Sequence, residues 1–78
     1  MTRVVVTVMP REGVLDPQGQ AVQGALSRLG FAGIHDVRLG RRIELELVGP
    51  DPEGAAKEMC ERLLANPLIE DFTVTVED

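Results

Sequence analysis

Cysteine is almost missing from this chain: Cys60 stands alone, so no internal disulfide can form. With His35, the only histidine, it falls two ligands short of a zinc set. Tryptophan and tyrosine are absent, and Phe31 and Phe72 are the only aromatics on which a base could stack. Positive charge is scarce as well, since 13 acidic and 8 basic residues leave a net charge of −5. A nucleic-acid surface needs the opposite balance, so no nucleic-acid partner is expected. No apolar run approaches the roughly 20 residues that span a bilayer, so no membrane partner is expected either. The stretch MTRVVVTVMPR has one Arg ahead of a run that alternates like a strand, which argues against a signal peptide. A lone unpaired cysteine suits a reducing compartment, and the expected location is cytoplasmic.

What is present is an ordinary globular composition, 44% hydrophobic and 27% charged, in 78 residues. That length predicts a single domain over residues 1–78. A chain of this size buries only about 60–65% of its unfolded surface, and a single core rarely supplies more than about 3–5 kcal/mol. With neither disulfides nor a metal to help, it is expected to rely on partners, either copies of itself or other chains.

Thr2 to Met9 is β-branched and predicts a strand with Val4, Val6 and Val8 on one face, ended by Pro10. Asp16 is a good N-cap and Pro17 a good first helical residue. The helix runs from Pro17 to Leu29, with an apolar stripe of Ala21, Val22, Ala25, Leu26 and Leu29, and Gly30 ends it. Ile34 to Leu39 and Ile43 to Val48 read as two strands joined by a short Gly40-Arg41 hairpin turn. Val37, Leu39, Ile43, Leu45 and Leu47 are their inward residues. A second helix from Pro52 to Ala65 opens on the same Asp-Pro-x-Gly pattern and carries Ala56, Met59, Cys60, Leu63 and Leu64 as its stripe. Asn66-Pro67 stops it. A last strand from Leu68 to about Val76 points Phe72, Val74 and Val76 inward. The order βαββαβ predicts an α+β, ferredoxin-like two-layer sandwich, with a four-stranded antiparallel sheet and both helices on one face. The opposite face, with Arg3, Val5, Thr7, Met9, Glu44, Glu46, Thr73 and Thr75, is mixed. Part of it, or a sheet edge, is expected to meet another chain.

No catalytic, cofactor-binding or metal-ligating constellation emerges from the residues. Cys60 sits on an apolar helical stripe and reads as a small core residue. His35 has no second histidine to act with. Glu44 and Glu46 are most simply paired with Arg38 or Arg42 across strands. Glu70-Asp71 and the Glu77-Asp78 tail read as solvated charge. Arg38, Arg41 and Arg42 cluster around Gly40, where they could bind an anion or a partner, or simply be solvated. Gly19 and Gly54 fall at the third position of their helices, where glycine costs about 1 kcal/mol relative to Ala. Each could be merely tolerated, or could let another backbone approach closely.

Taken together, Val14-Leu15-Asp16-Pro17-Gln18-Gly19, Leu29-Gly30, Val37-Arg38-Leu39-Gly40-Arg41 and Leu63-Leu64-Ala65-Asn66-Pro67-Leu68-Ile69-Glu70-Asp71-Phe72 resemble the PurS family over nearly the whole chain. That family is the small subunit of phosphoribosylformylglycinamidine synthase. Arg41 departs from the Lys common in the family after the turn glycine, which keeps the charge and changes its shape. The resemblance implies a non-catalytic subunit that bridges a glutaminase subunit and a synthetase subunit and helps ammonia pass between them. ATP and magnesium would belong to the synthetase partner, with no cofactor in this chain. It also implies a homodimer, with pairing into tetramers left open. The interface candidates carried over by motif are Asp16, Pro17, Gln18, Gly19, Arg38, Gly40, Arg41, Asn66, Pro67 and Glu70. Two other classes share the predicted element order. An ACT-like module that binds small molecules is usually fused to an enzyme, whereas this chain ends at Asp78. An acylphosphatase-like enzyme needs an Arg-bearing phosphate loop, for which Met9-Pro10-Arg11-Glu12-Gly13 is a poor match.

Overall fold

Val4, Val6 and Val8 lie fully buried along one face of β1 (Thr2–Pro10), the central strand. The structure, a computed structural model, describes residues 1–77, so Asp78 of the acidic tail lies outside it. On one side β1 pairs antiparallel with β2 (Arg41–Leu47), on the other with β3 (Glu70–Glu77), in the order β2-β1-β3. The register sets Val4 beside Leu45 and Val76, and Val6 beside Ile43 and Val74. Val8 meets Phe72. The inward sets read from period-two alternation therefore share one face.

That face is covered by α2 (Pro52–Met59) and the π-helical turn Cys60–Leu64 that continues it. Asp51 caps α2 by accepting the Gly54 N–H at 3.0 Å, and Pro52 takes the first position. Ala56, Cys60 and Ala65 are buried against the valines. Burial pushes the Cys60 thiol pKa up, as expected of a core cysteine. The end of this helix departs from the expected stripe. In the π turn the Ala65 N–H reaches back five residues to the Cys60 carbonyl, and the wider turn leaves Leu63 83% exposed while Leu64 stays half-buried.

The expected four-stranded sheet is not formed. The described residues contain three strands, and Ile34–Leu39 is not one of them. From Phe31 to Gly40 the chain makes no turn or bend, so no hairpin joins this segment to β2. The reason lies at Gly40. A two-residue hairpin loop needs positive φ, and Gly40 is not among the glycines that have it. Its missing side chain is used for close approach instead, because a Cβ there would collide with the Val8 carbonyl and the Met9 sulfur. The chain therefore runs straight on, past the end of β1.

There it lies beside α1 (Pro17–Arg28). The helix closes with Gly30 at φ +95° and the Phe31 N–H bonded to the Leu26 carbonyl, an ending that glycine favours. Gln23 Nε2 donates to the Ile34 carbonyl at 3.0 Å. α1 has no substantial packing against the sheet or α2. With the following segment it forms an arm, which gives the chain a 50 Å long axis and a radius of gyration of 15.7 Å. A compact domain of this length would measure about 11–12 Å.

Candidate functional site

The arm joins the sheet through Asp16, whose two oxygens serve two segments. Oδ1 accepts the Gly19 N–H at 3.0 Å and caps α1; Oδ2 accepts the Leu39 N–H at 2.8 Å and holds the end of the extended segment. The Leu39 bond, seconded by the Gly19 bond, holds the Asp16 carboxyl below its ordinary value. Arg38 donates to the Pro10 carbonyl and fixes the same junction to the end of β1. Gly19 is the buried residue of α1, and a Cβ on it would run into the Val37 carbonyl. Of the two readings of Gly19, close approach is the one the geometry supports, and the approaching backbone belongs to the same chain.

A second hook closes the loop before β3. The Asn66 side chain accepts the Leu68 N–H at 3.1 Å, and the Asn66 carbonyl accepts the Glu70 N–H at 2.7 Å. In return Glu70 Oε1 accepts the Asn66 N–H at 2.8 Å and faces Arg41 at 3.2 Å. Arg41 also donates to the Leu64 carbonyl at 2.8 Å. The Asn66 N–H, then Arg41, holds the Glu70 carboxyl below its usual range. Arg11, considered above only for a phosphate loop, instead donates to the Pro67 carbonyl at 2.7 Å and pairs with Asp71 at 3.2 Å.

Between the two hooks opens a cleft of about 360 Å³. Asp16, Pro17, Gln18, Gly40, Arg41 and Glu70 line it, so most of the interface candidates, scattered along the sequence, meet at one place. Gly19, Arg38, Asn66 and Pro67 do not line it and act as its supports. The motif reading missed the apolar wall: Leu15, Leu39 and Ile69 line the cleft and remain 66%, 39% and 46% exposed. Their signal was adjacency to Asp16, Gly40 and Glu70. The charged groups of the cleft are already engaged, Asp16 with backbone N–H groups, Arg41 and Glu70 with backbone and each other. This is chemistry for holding shape. Elsewhere, Glu44 pairs with Arg3 of β1 and, at 3.3 Å, with Arg42 of its own strand, while His35 is exposed.

Fold and cleft together define a small α+β module with hydrogen-bonded loops and an open apolar-lined notch. The chain belongs to the PurS family: the family described as phosphoribosylformylglycinamidine (FGAM) synthase matches residues 3–78. It is 53% identical over 77 residues to the phosphoribosylformylglycinamidine synthase subunit PurS of Mycobacterium leprae, covering 99% of this chain and 98% of the relative. Bacillus subtilis PurS has the same fold, with a TM-score of 0.92 and 46% identity over the full length of both chains. A chain of the PurLQS structure from Thermotoga maritima matches at a TM-score of 0.82 and 30% identity, with 97% of this chain and 96% of that one covered.

Two expectations follow from the geometry. Gly19→Ala is expected to lower the thermal midpoint by several degrees, about 1–2 kcal/mol, because a backbone carbonyl must move. Gly54→Ala, whose Cβ would first meet the movable Asp51 carboxylate, should stay within about 1 kcal/mol of the parent, helix propensity offsetting a weakened cap. Equal losses in both would refute the distinction. The second concerns acid. Asp16 and Glu70 titrate below their ordinary values of 3.8 and 4.5, so they stabilise the fold when ionised. That contribution is complete above those values and fades as pH falls through the lower folded-state values. Urea midpoints at fixed protein concentration should drop from about pH 5 downwards, and less steeply in Asp16→Asn. An unchanged slope in that variant would remove Asp16 from the account.

Proposed function

We propose that the chain works as the bridging subunit of a phosphoribosylformylglycinamidine synthase complex, holding a glutaminase subunit (PurQ) against an ATP- and magnesium-dependent synthetase subunit (PurL) in cytoplasmic purine synthesis. The observation that carries this reading is the family match over residues 3–78 together with the full-length likeness to a chain of PurLQS. Ammonia released by one partner would pass to the other without loss to solvent, and this chain would supply the alignment. The cleft between the Asp16 and Glu70 hooks is the surface assigned to partner contact, with the ten motif residues as its wall and its supports.

We propose further that the working unit is a homodimer. Among the described residues no side chain larger than valine is fully buried, whereas Leu29, Phe31, Leu63 and Leu68 are 73%, 59%, 83% and 85% exposed. Apolar surface of this kind on a small domain is covered by another chain.

Synthesis of formylglycinamidine ribonucleotide from glutamine by the two partner subunits should require this chain, while synthesis from free ammonia should not. Arg41→Ala, which releases Glu70 and the Leu64 carbonyl, should cut the glutamine-driven rate several-fold and leave the ammonia-driven rate alone. A glutamine-driven rate indifferent to omission of the chain would overturn the proposal.

A further inference from the structure

On one side the sheet ends with β3, and nothing among the described residues pairs with its outer edge. The phase of that edge follows from one bond. Arg11 donates its N–H to the Ile69 carbonyl at 2.8 Å, in the same register that sets Met9 beside Asp71 and Arg3 beside Glu77. Hydrogen-bonded pairs recur at every second residue of an antiparallel ladder, so Asp71, Thr73, Thr75 and Glu77 turn their N–H and C=O groups to β1. Pro10, which has no N–H to give, falls opposite Glu70 at a pair that needs none. Phe72, Val74 and Val76 therefore point their backbone donors and acceptors outward along the free edge.

Natural sheets guard such an edge with lysine, proline or a bulge. β3 has neither lysine nor proline, and its register with β1 runs from Arg3–Glu77 to Pro10–Glu70 without a bulge. Its centre, Phe72 to Val76, consists of aromatic and β-branched residues, the side chains most at home in a strand. Phe72 and Val74 are half-buried on the core face and Val76 is 39% exposed, so that face is unfinished at the edge as well. What β3 carries instead is charge of one sign. Leu63 to Asp78 contains Glu70, Asp71, Glu77 and Asp78 and no basic residue, in a chain whose net charge is −5. Two β3 edges laid antiparallel would set the Glu70–Asp71 end of each against the Glu77 end of the other, and like charges placed opposite one another oppose pairing. The edge is closed to a second copy and open to a strand of opposite charge. Asp71 faces Arg11 at 3.2 Å and Glu77 faces Arg3 at 3.6 Å on the β1 side, yet both carboxylates remain exposed, with room for a second cation on the other.

We infer that β3 takes an extended, basic segment of one of the two partner subunits as a further strand. This pairing rests on the bridging role proposed above and names one contact through which it is made. The main chain of the segment bonds to the outward groups of Phe72, Val74 and Val76, a mode in which backbone bonds give affinity and alternate side chains give specificity. On the outer face, Lys or Arg stands opposite Asp71 and Glu77. On the core face, apolar residues complete the burial of Phe72, Val74 and Val76. The edge starts where the cleft ends, since Glu70 both lines the cleft and opens β3.

The test is hydrogen exchange of this chain, alone and in the complex reconstituted with the glutaminase and synthetase subunits of the same source. The Phe72, Val74 and Val76 N–H groups should exchange freely in the isolated chain and slowly in the complex, while those of Thr73 and Thr75 are slow in both. Val74→Pro removes one outward donor at a position where an edge strand tolerates proline. Thr73→Lys combined with Thr75→Lys puts positive charge on the exposed face of the edge without touching an ion pair. Both variants should fold, by circular dichroism, and bind the partner subunits at least about tenfold more weakly, the cost of one unmade main-chain bond in a dry contact. Should Val74→Pro not fold, the lysine variant and the exchange rates decide. Binding by the parent chain should weaken as salt is raised. A complex in which the three N–H groups still exchange freely and the folded variants assemble like the parent overturns edge pairing and leaves the bridging role standing. Slow exchange already in the isolated chain gives the edge to a second copy and overturns it too. Absence of any complex overturns both.

Discussion

The burial of Val4, Val6 and Val8 on the central strand is what the rest of the chain is arranged around. Each of these valines is flanked by β2 or β3 and capped by Ala56, Cys60 or Ala65, so sheet and helix meet at short range through small side chains. The layer is tight, and it is small. It leaves the larger apolar residues, Leu29, Phe31, Leu63 and Leu68, outside. Leu45, Leu47, Leu64 and Phe72 pack against the valine layer only in part, so much of the chain's larger apolar surface contributes little to its own core.

Legibility of the sequence followed the range of the forces involved. Alternation along β1, β2 and β3 identified the inward faces correctly, because a strand buried on one face must repeat every two residues. The Asp-Pro starts of both helices were equally plain, since a cap is decided within four residues. Gly40-Arg41 misled for the opposite reason. A glycine between two apolar runs looks the same whether it turns the chain or lets a neighbouring carbonyl come close, and only the position of Val8 and Met9 decides. Whether Ile34–Leu39 pairs with its sequence neighbour or with something farther away is a non-local question. The alternation in the segment is genuine; its partner cannot be read from it.

The site divided along the same line. Asp16 was recognisable because a helix cap has strict spacing, whereas Asn66 and Glu70 came only with the family motif; read by itself Glu70 was taken for solvated charge, which its bonds to the Asn66 N–H and Arg41 correct. Leu15, Leu39 and Ile69 were passed over because an apolar residue beside a loop carries no spacing signal until the loops are brought together. Arg11 and Arg41 were visible as charges, but their roles as clamps on the Pro67 and Leu64 carbonyls depend on where α2 stops.

The π-helical turn at Cys60–Leu64 has a consequence for how the chain tolerates changes in length. Such a turn is an α-helix that has absorbed one additional residue. The surplus is taken up locally, so the frame downstream is undisturbed and Glu70 still meets both Asn66 and Arg41. The turn is therefore a point of latitude, at which one residue more or less is absorbed before it reaches the strands on either side.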